Sequence, residues 1–271
     1  MNRIEVLSYI IVTAFVLYAI FPCYILLTNS FKVTGEILRN PVSLPFNFTS
    51  VNYFKVLFKD KFYRYFFNSL RVISVALPIT TLMGLLSGYS LARLRPRGSI
   101  ILISLLLIGF STPAFLYVIP LYSLLANLRL VNDLLGLSLV YSAIYSPFAT
   151  FILYSAMLEL PPEIEEAARI DGAGEIRILF GIIAPLITST IMTVALLLFV
   201  FMWNEFLFAY VFVSDARIRT TSLGFMFFTR EHGLELDSMF AAGVLSMIPV
   251  MLIYPLFRRE VARGLTMIYK A

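Results

Sequence analysis

Six of the sixteen acidic residues in this 271-residue chain fall in one short stretch: Glu159, Glu163, Glu165, Glu166, Asp171 and Glu175. Grouped so closely, they suit charged contacts with another surface. A second feature is Glu205, the one acidic residue well inside an apolar run, preceded by Trp203 and Asn204. A carboxylate in hydrocarbon is costly and marks a functional position by default. Other chemistry is scarce. Cys23 has no partner in the chain, which excludes a disulfide framework and a Cys-rich metal site. His232 stands alone, which excludes His-pair zinc chemistry and leaves little for a Ser-His or Cys-His nucleophile. No H-E-x-x-H occurs, and Gly109-Phe110-Ser111 lacks the trailing glycine of a serine nucleophile elbow. None of the five lysines follows a glycine, so there is no phosphate-cradling G-x-x-x-x-G-K-[ST] loop. The sequence offers no catalytic residue and no metal site.

Composition sets the elements that must carry these residues. The chain is 60% apolar and 14% charged, with mean hydropathy +0.89. A soluble surface needs about 25% charge. Disorder, coiled coil and a small disulfide-stapled fold are excluded on the same ground. The net charge of +5 is spread too thinly to track phosphates, so nucleic acid is not a partner. The lipid bilayer is the solvent.

Six runs of about 20 mostly apolar residues follow, at 6–27, 68–91, 100–125, 134–158, 183–213 and 239–257. In hydrocarbon they must be helices, because backbone polar groups find no water there. A β-barrel would show alternating ten-residue segments, and none is present. The expectation is an all-α polytopic membrane protein of six transmembrane helices, a single domain over 1–271 without linker or repeat. The first run reads as a retained span, since no small-residue cleavage site follows Leu27. The fifth is too long for one straight crossing: it tilts, or its first turns lie at the interface. Pro22, Pro78, Pro113, Pro120, Pro147, Pro249 and Pro255 interrupt the runs, as membrane bundles tolerate.

With six spans both termini share a side. Ten basic residues fall on that side and ten on the other, so the positive-inside count alone is undecided. The dense turn of Arg93, Arg95 and Arg97 and the basic tail favour cytoplasmic termini.

The stretch 160–185, LPPEIEEAARIDGAGEIRILFGIIAP, is the most informative. Pro161 and Pro162 can open a helix, and Glu163, Glu165 and Glu166 then suit the positive end of its dipole. Ala167 and Ala168 favour helix and are small, and Ile164 shares a face with Ala168. Asp171-Gly172 breaks the run. The product is a helix of roughly ten residues, about 15 Å long. A surface-lying amphipathic helix would read the same way from physics alone.

The residues themselves carry more. Glu166-Ala167-Ala168, Asp171-Gly172-Ala173, Ile182 and Pro185 resemble the EAA loop of binding-protein-dependent ABC importer permeases, with Ala184 where leucine is usual. Trp203-Asn204-Glu205-Phe206 is similar to the WNEF stretch of the carbohydrate-type group, which includes the second maltose-transporter permease. Thr221-Ser222-Leu223-Gly224, Ala241-Ala242-Gly243, Pro249 and the tail from Arg258 resemble the same group. The tail keeps Lys270 but not the usual Gly-Ala-Val before it. The resemblance covers most of the chain and is densest from Asn68 onward.

The resemblance implies a subunit of a prokaryotic cell (inner or plasma) membrane with a cytoplasmic coupling helix at 159–181. Glu165, Glu166, Ala167, Ala168, Asp171, Gly172 and Ala173 would then contact the ATPase. It implies as partners a second permease, two ATP-binding cassette subunits that hold ATP and Mg, and an extracytoplasmic solute-binding protein that faces loop 214–238. No cofactor is expected on this chain. The cargo would be a sugar, with Trp203, Asn204 and Glu205 as candidate path residues, the indole stacking on a pyranose ring. Glu205 equally suits a structural partnership. Thr112, Tyr117, Tyr122, Tyr141 and Tyr145 either line a path or belong to interfacial belts. The alternative is a secondary transporter or channel subunit, which would show several intramembrane acids and inverted repeats, whereas only Glu205 is of that kind.

Overall fold

The computed structural model describes residues 3–231 and 235–268; His232, Tyr269 and Lys270 lie outside them. The class is all-α, as composition requires. Seven helices lead up to residue 158: α1 (Arg3–Asn29), α2 (Thr34–Arg39), α3 (Val51–Phe54), α4 (Tyr63–Tyr89), α5 (Ser99–Ser111), α6 (Val118–Asn127) and α7 (Leu134–Leu158). Then come α8 (Glu163–Ile170), α9 (Glu175–Ile178), α10 (Ala184–Leu186), α11 (Thr188–Asn204), α12 (Leu207–Phe212), α13 (Thr221–Glu231) and α14 (Leu236–Ile268). Single π turns continue α3, α4 and α9 at Lys55–Lys59, Ser90–Leu94 and Leu179–Ile183.

Among the described residues four helical stretches are long and apolar enough to cross a bilayer: Leu7–Asn29, Tyr63–Leu94, Leu134–Leu158 and Leu236–Ile253. Two further runs are sharply bent pairs, Ser99–Ser111 with Ala114–Asn127 at 102° and Glu175–Leu186 with Thr188–Asn204 at 81°. Counting each pair as one crossing gives six. The run at 100–125 is therefore not straight. Thr112 is extended (φ −74°, ψ 128°), as a residue before proline prefers, and Pro113 has no N–H with which to continue α5. In the second pair Pro185 withholds a donor, and Ile187 leaves helical geometry at ψ 19°. The Thr188 hydroxyl donates to the carbonyls of Ala184 (3.1 Å) and Pro185 (2.8 Å) there. Pro22, Pro78 and Pro147 stay inside continuous helices.

The chain packs as two compact units, one of 1–66 with 221–249 and the other of 67–220 with 250–271. In the first unit α1 turns apolar side chains outward on every side, with Phe15 71% and Tyr18 77% exposed. That suits lipid or another apolar helix rather than water. The core there is Val56, Phe62, Phe228, Ala241 and Ala242. Lys32 is fully buried, its ammonium donating to the Asn40 carbonyl at 3.1 Å. The Asn52 amide donates to the carbonyls of Ser30 and Lys32 and closes the same loop.

In the second unit α7 is central, with Leu137, Ala149, Leu153 and Met157 fully buried. Its N-terminus is capped by Asp133, whose carboxylate accepts the Leu135 N–H at 2.6 Å. Gly84 and Gly88, one turn apart on α4, let that helix approach α7 closely: a Cβ at Gly84 would lie 2.7 Å from the Ala149 Cβ. The segment after α12 is held by two amides. Asn132 accepts the N–H groups of Ser214 and Asp215, and Asn68 donates to the carbonyls of Arg217 and Arg219.

Candidate functional site

The acidic stretch forms α8, eight residues long, opened by Pro162, whose carbonyl accepts the N–H groups of Glu165 (3.0 Å) and Glu166 (3.1 Å). Its end is a Schellman turn. The Gly172 N–H bonds to the Arg169 carbonyl at 3.0 Å and the Ala173 N–H to the Ala168 carbonyl at 2.9 Å. That closure needs a left-handed residue at position 172, and Gly172 supplies it with φ +81°. Gly174 then starts α9, and the polypeptide returns toward α11.

The two faces of α8 differ. Glu165 and Ala168 point inward and are buried, whereas Glu163, Ile164, Glu166, Ala167 and Ile170 are exposed. Asp171 and Gly172 are exposed and Ala173 is half-buried. Of the seven candidate coupling residues, Glu166, Ala167, Asp171 and Gly172 therefore share the open side, and Glu165 and Ala168 face the protein's own interior. Ile170 is 87% and Ile176 77% exposed, an unusual display of β-branched apolar side chains beside a charged helix.

Glu165 is paired from within. Its carboxylate lies 2.6 Å from the Arg93 Nε and 3.5 Å from an Arg169 nitrogen. Burial pushes the Glu165 carboxyl above the usual carboxylate range, while Arg93 and Arg169 pull it back down. Arg93 also donates through Nη2 to the carbonyls of Met157 (2.6 Å) and Leu160 (2.8 Å). Arg169 reaches Glu175 at 2.9 and 3.2 Å, and that hydrogen bonding holds its guanidinium more firmly protonated than usual. The Tyr89 hydroxyl donates to Glu175 Oε2 at 2.6 Å, the oxygen that Arg169 Nη2 also reaches. Sequence reasoning counted Arg93 only toward orientation and passed over Tyr89. The available signal was their i, i+4 spacing at the end of an apolar run, facing a loop rich in carboxylates.

The second candidate group lies where α11 breaks. Trp203 is buried and stacks on Phe199 with ring centroids 5.8 Å apart. Asn204 is exposed, its amide donating to the Val200 carbonyl at 2.8 Å. Glu205 accepts from the Tyr141 hydroxyl (2.7 Å) and from the N–H groups of Phe208 (2.9 Å) and Ala209 (3.2 Å). A carboxylate there complements the positive end of α12 and satisfies its first donors. The structure does not bring the three side chains to one open surface: Trp203 and Glu205 serve the chain's own packing, and Asn204 alone is open. Thr112, Tyr117 and Tyr145 help line a cavity of about 490 Å³ together with Phe148 and Phe201, while Tyr141 is buried. Arg71, the one basic residue within the six expected runs, is exposed on α4 and was not singled out from the sequence. Among the described residues no three carboxylate, imidazole or thiol groups gather as a metal site.

An all-α chain of apolar helices, some bent, with a polar helix between α7 and α11, belongs to the class of polytopic membrane proteins. The comparisons give the family. Residues 76–267 match the family described as binding-protein-dependent transport system inner membrane component, and the chain belongs to that family. It is 34% identical over 263 residues to a diacetylchitobiose uptake system permease of Streptomyces coelicolor, covering 96% of this chain and 87% of that one. It is also 34% identical to a trehalose/maltose transport system permease of Thermococcus litoralis, covering 91% and 90%. Among solved structures, a bacterial ABC transporter involved in import of the acidic polysaccharide alginate matches with TM-score 0.82. That match is 20% identical and covers 96% of this chain and 98% of the other. The chain is thus an inner-membrane permease component of an ABC transporter.

Proposed function

We propose that this permease imports a sugar or oligosaccharide, as one half of a translocation path completed by a second permease. The relatives named for diacetylchitobiose and for trehalose and maltose support the cargo class. In this reading the chain is one transmembrane domain of six spans with both termini cytoplasmic. Its polar loop at 159–181 lies on the side where ATP is hydrolysed. Two ATPase subunits supply the energy, and an extracytoplasmic binding protein presents the cargo near 214–238.

The open face of α8 carries the coupling. Glu166, Ala167, Asp171 and Gly172, with Ile164 and Ile170, make a surface that mixes charged and apolar side chains, suited to a cleft on the ATPase. Ala167 permits close approach. Glu165, Ala168 and Ala173 hold the helix in place behind that face. At the membrane end Asn204 is the member of the 203–205 group positioned to meet a hydroxyl-rich cargo, with Trp203 and Glu205 shaping the backbone that presents it. The single observation that carries this reading is the family match over 76–267, a stretch that includes α8 and its Gly172 turn.

The test is uptake by the reconstituted transporter in proteoliposomes with its binding protein. ATP inside and labelled oligosaccharides outside should give accumulation that depends on both. Accumulation driven by a proton or sodium gradient without ATP would instead favour a secondary transporter.

A further inference from the structure

Docking α8 on an ATPase does not require its inner face to hold a buried charge pair. Yet Glu165 and Arg93 meet there with side chains 2% and 9% exposed. A buried ion pair contributes little net stability compared with an apolar contact of the same size. What it does set is which groups must meet, because either charge left buried without the other is costly. Arg93 meets two elements at once: its Nε lies 2.6 Å from the Glu165 carboxylate of α8 as a charge contact, and its Nη2 donates to the Met157 and Leu160 carbonyls at the end of α7. Four residues earlier on the same helix, Tyr89 grips Glu175 on the far side of the Gly172 turn. The two held carboxylates bracket the turn, and Arg169 joins them within the loop. The contact is made by the π turn Ser90–Leu94, after which Arg95 takes a left-handed conformation (φ 45°) that ends the helix.

We propose that Arg93 and Tyr89 are positioning residues that latch the α8 loop to the inner end of α4 at two points. The loop and α4 then move as one body, and α4 is the element that carries the ATPase stroke into the membrane. The inference rests on the docking of α8 proposed above. A loop attached only through its flanking chain would absorb the stroke by hinging at Leu160 and Gly174. The latch removes that freedom.

The test uses the assembled transporter in nanodiscs, with the exposed Cys23 replaced by serine. Spin labels are placed at Glu163→Cys on α8 and Leu86→Cys on α4, both exposed. The inter-label distance is measured nucleotide-free and in the vanadate-trapped state, together with uptake and ATP hydrolysis. The latch predicts one narrow distance, the same in both states. Arg93→Met should broaden it and reduce uptake about 5- to 150-fold, the range of coupling between linked sites, with basal hydrolysis retained. Tyr89→Phe, which removes a single hydroxyl, should do the same to a smaller degree and serves if Arg93→Met fails to assemble. A distance that changes between the two states in the parent overturns the latch. So does a parental distance and parental uptake in both variants. In the same background, an Ala167→Cys that forms no cross-link to the ATPase refutes the docking rather than the latch.

Discussion

Replacing Glu205 separates a residue that reads the cargo from one that builds the path. Glu205→Ala removes the acceptor from three donors at once: the Tyr141 hydroxyl and the N–H groups of Phe208 and Ala209. Tyr141, Phe208 and Ala209 are each buried, so their donors are poorly placed to find another acceptor. A hydrogen bond to a charged acceptor contributes about 1.5–3 kcal/mol, and a buried donor left unmet costs about 1–3 kcal/mol. Because the three share one acceptor and partly relax together, the expected loss is roughly 3–6 kcal/mol. Glu205→Gln keeps one carbonyl oxygen, and should lose about half of that. Asn204→Ala removes only an exposed bond to Val200 and should barely register. The assay is thermal unfolding of the purified transporter, with uptake normalised to assembled complex. The midpoint should fall in the order Ala, then Gln, then parent, while each assembled complex still transports. An unchanged midpoint with uptake abolished would mean that Glu205 contacts cargo, and the structural assignment would be wrong.

Two glycines give further tests. At Gly172 a new side chain would meet nothing of this chain within 4 Å, so its effect on the chain's own turn must come from φ +81°, where a non-glycine residue costs about 1–2 kcal/mol. Gly172→Val should therefore lower uptake more than basal ATP hydrolysis, and Gly172→Asn should stay closer to the parent, as steady-state uptake and hydrolysis would reveal. At Gly84 the fault is steric: the added Cβ presses on Ala149 and its backbone, an overpacking cost of about 1–3 kcal/mol. Gly84→Ala should lower the thermal midpoint, and Gly84→Ala with Ala149→Gly should recover much of it.

The helical class was readable because its signal is long-range in the chain: runs near 20 apolar residues admit no other structure in lipid. The α8 boundaries were readable for local reasons, since Pro162 and Gly172 punctuate the helix through backbone geometry alone. The bends were harder. Pro113 breaks a helix and Pro78 and Pro147 do not, and the difference lies in the surroundings rather than in proline itself. Least legible were pairings across distance in sequence. Glu205 signalled a function as an isolated intramembrane acid, but its partner Tyr141 stands 64 positions away. Glu165 looked like one more surface carboxylate beside Glu163 and Glu166. Only three-dimensional packing turns it inward onto Arg93.

The central claim is that the open face of α8 meets the ATPase in the cytoplasm, and disulfide trapping tests it most directly. In the Cys23→Ser background, Ala167→Cys is oxidised against single cysteines placed in the cleft of the partner ATPase. The account predicts a cross-link in the assembled transporter that blocks ATP-driven uptake and is relieved by reductant, with no cross-link from Arg217→Cys. An Ala167→Cys that forms no ATPase cross-link and is labelled from outside the cell by an impermeant thiol reagent would contradict it.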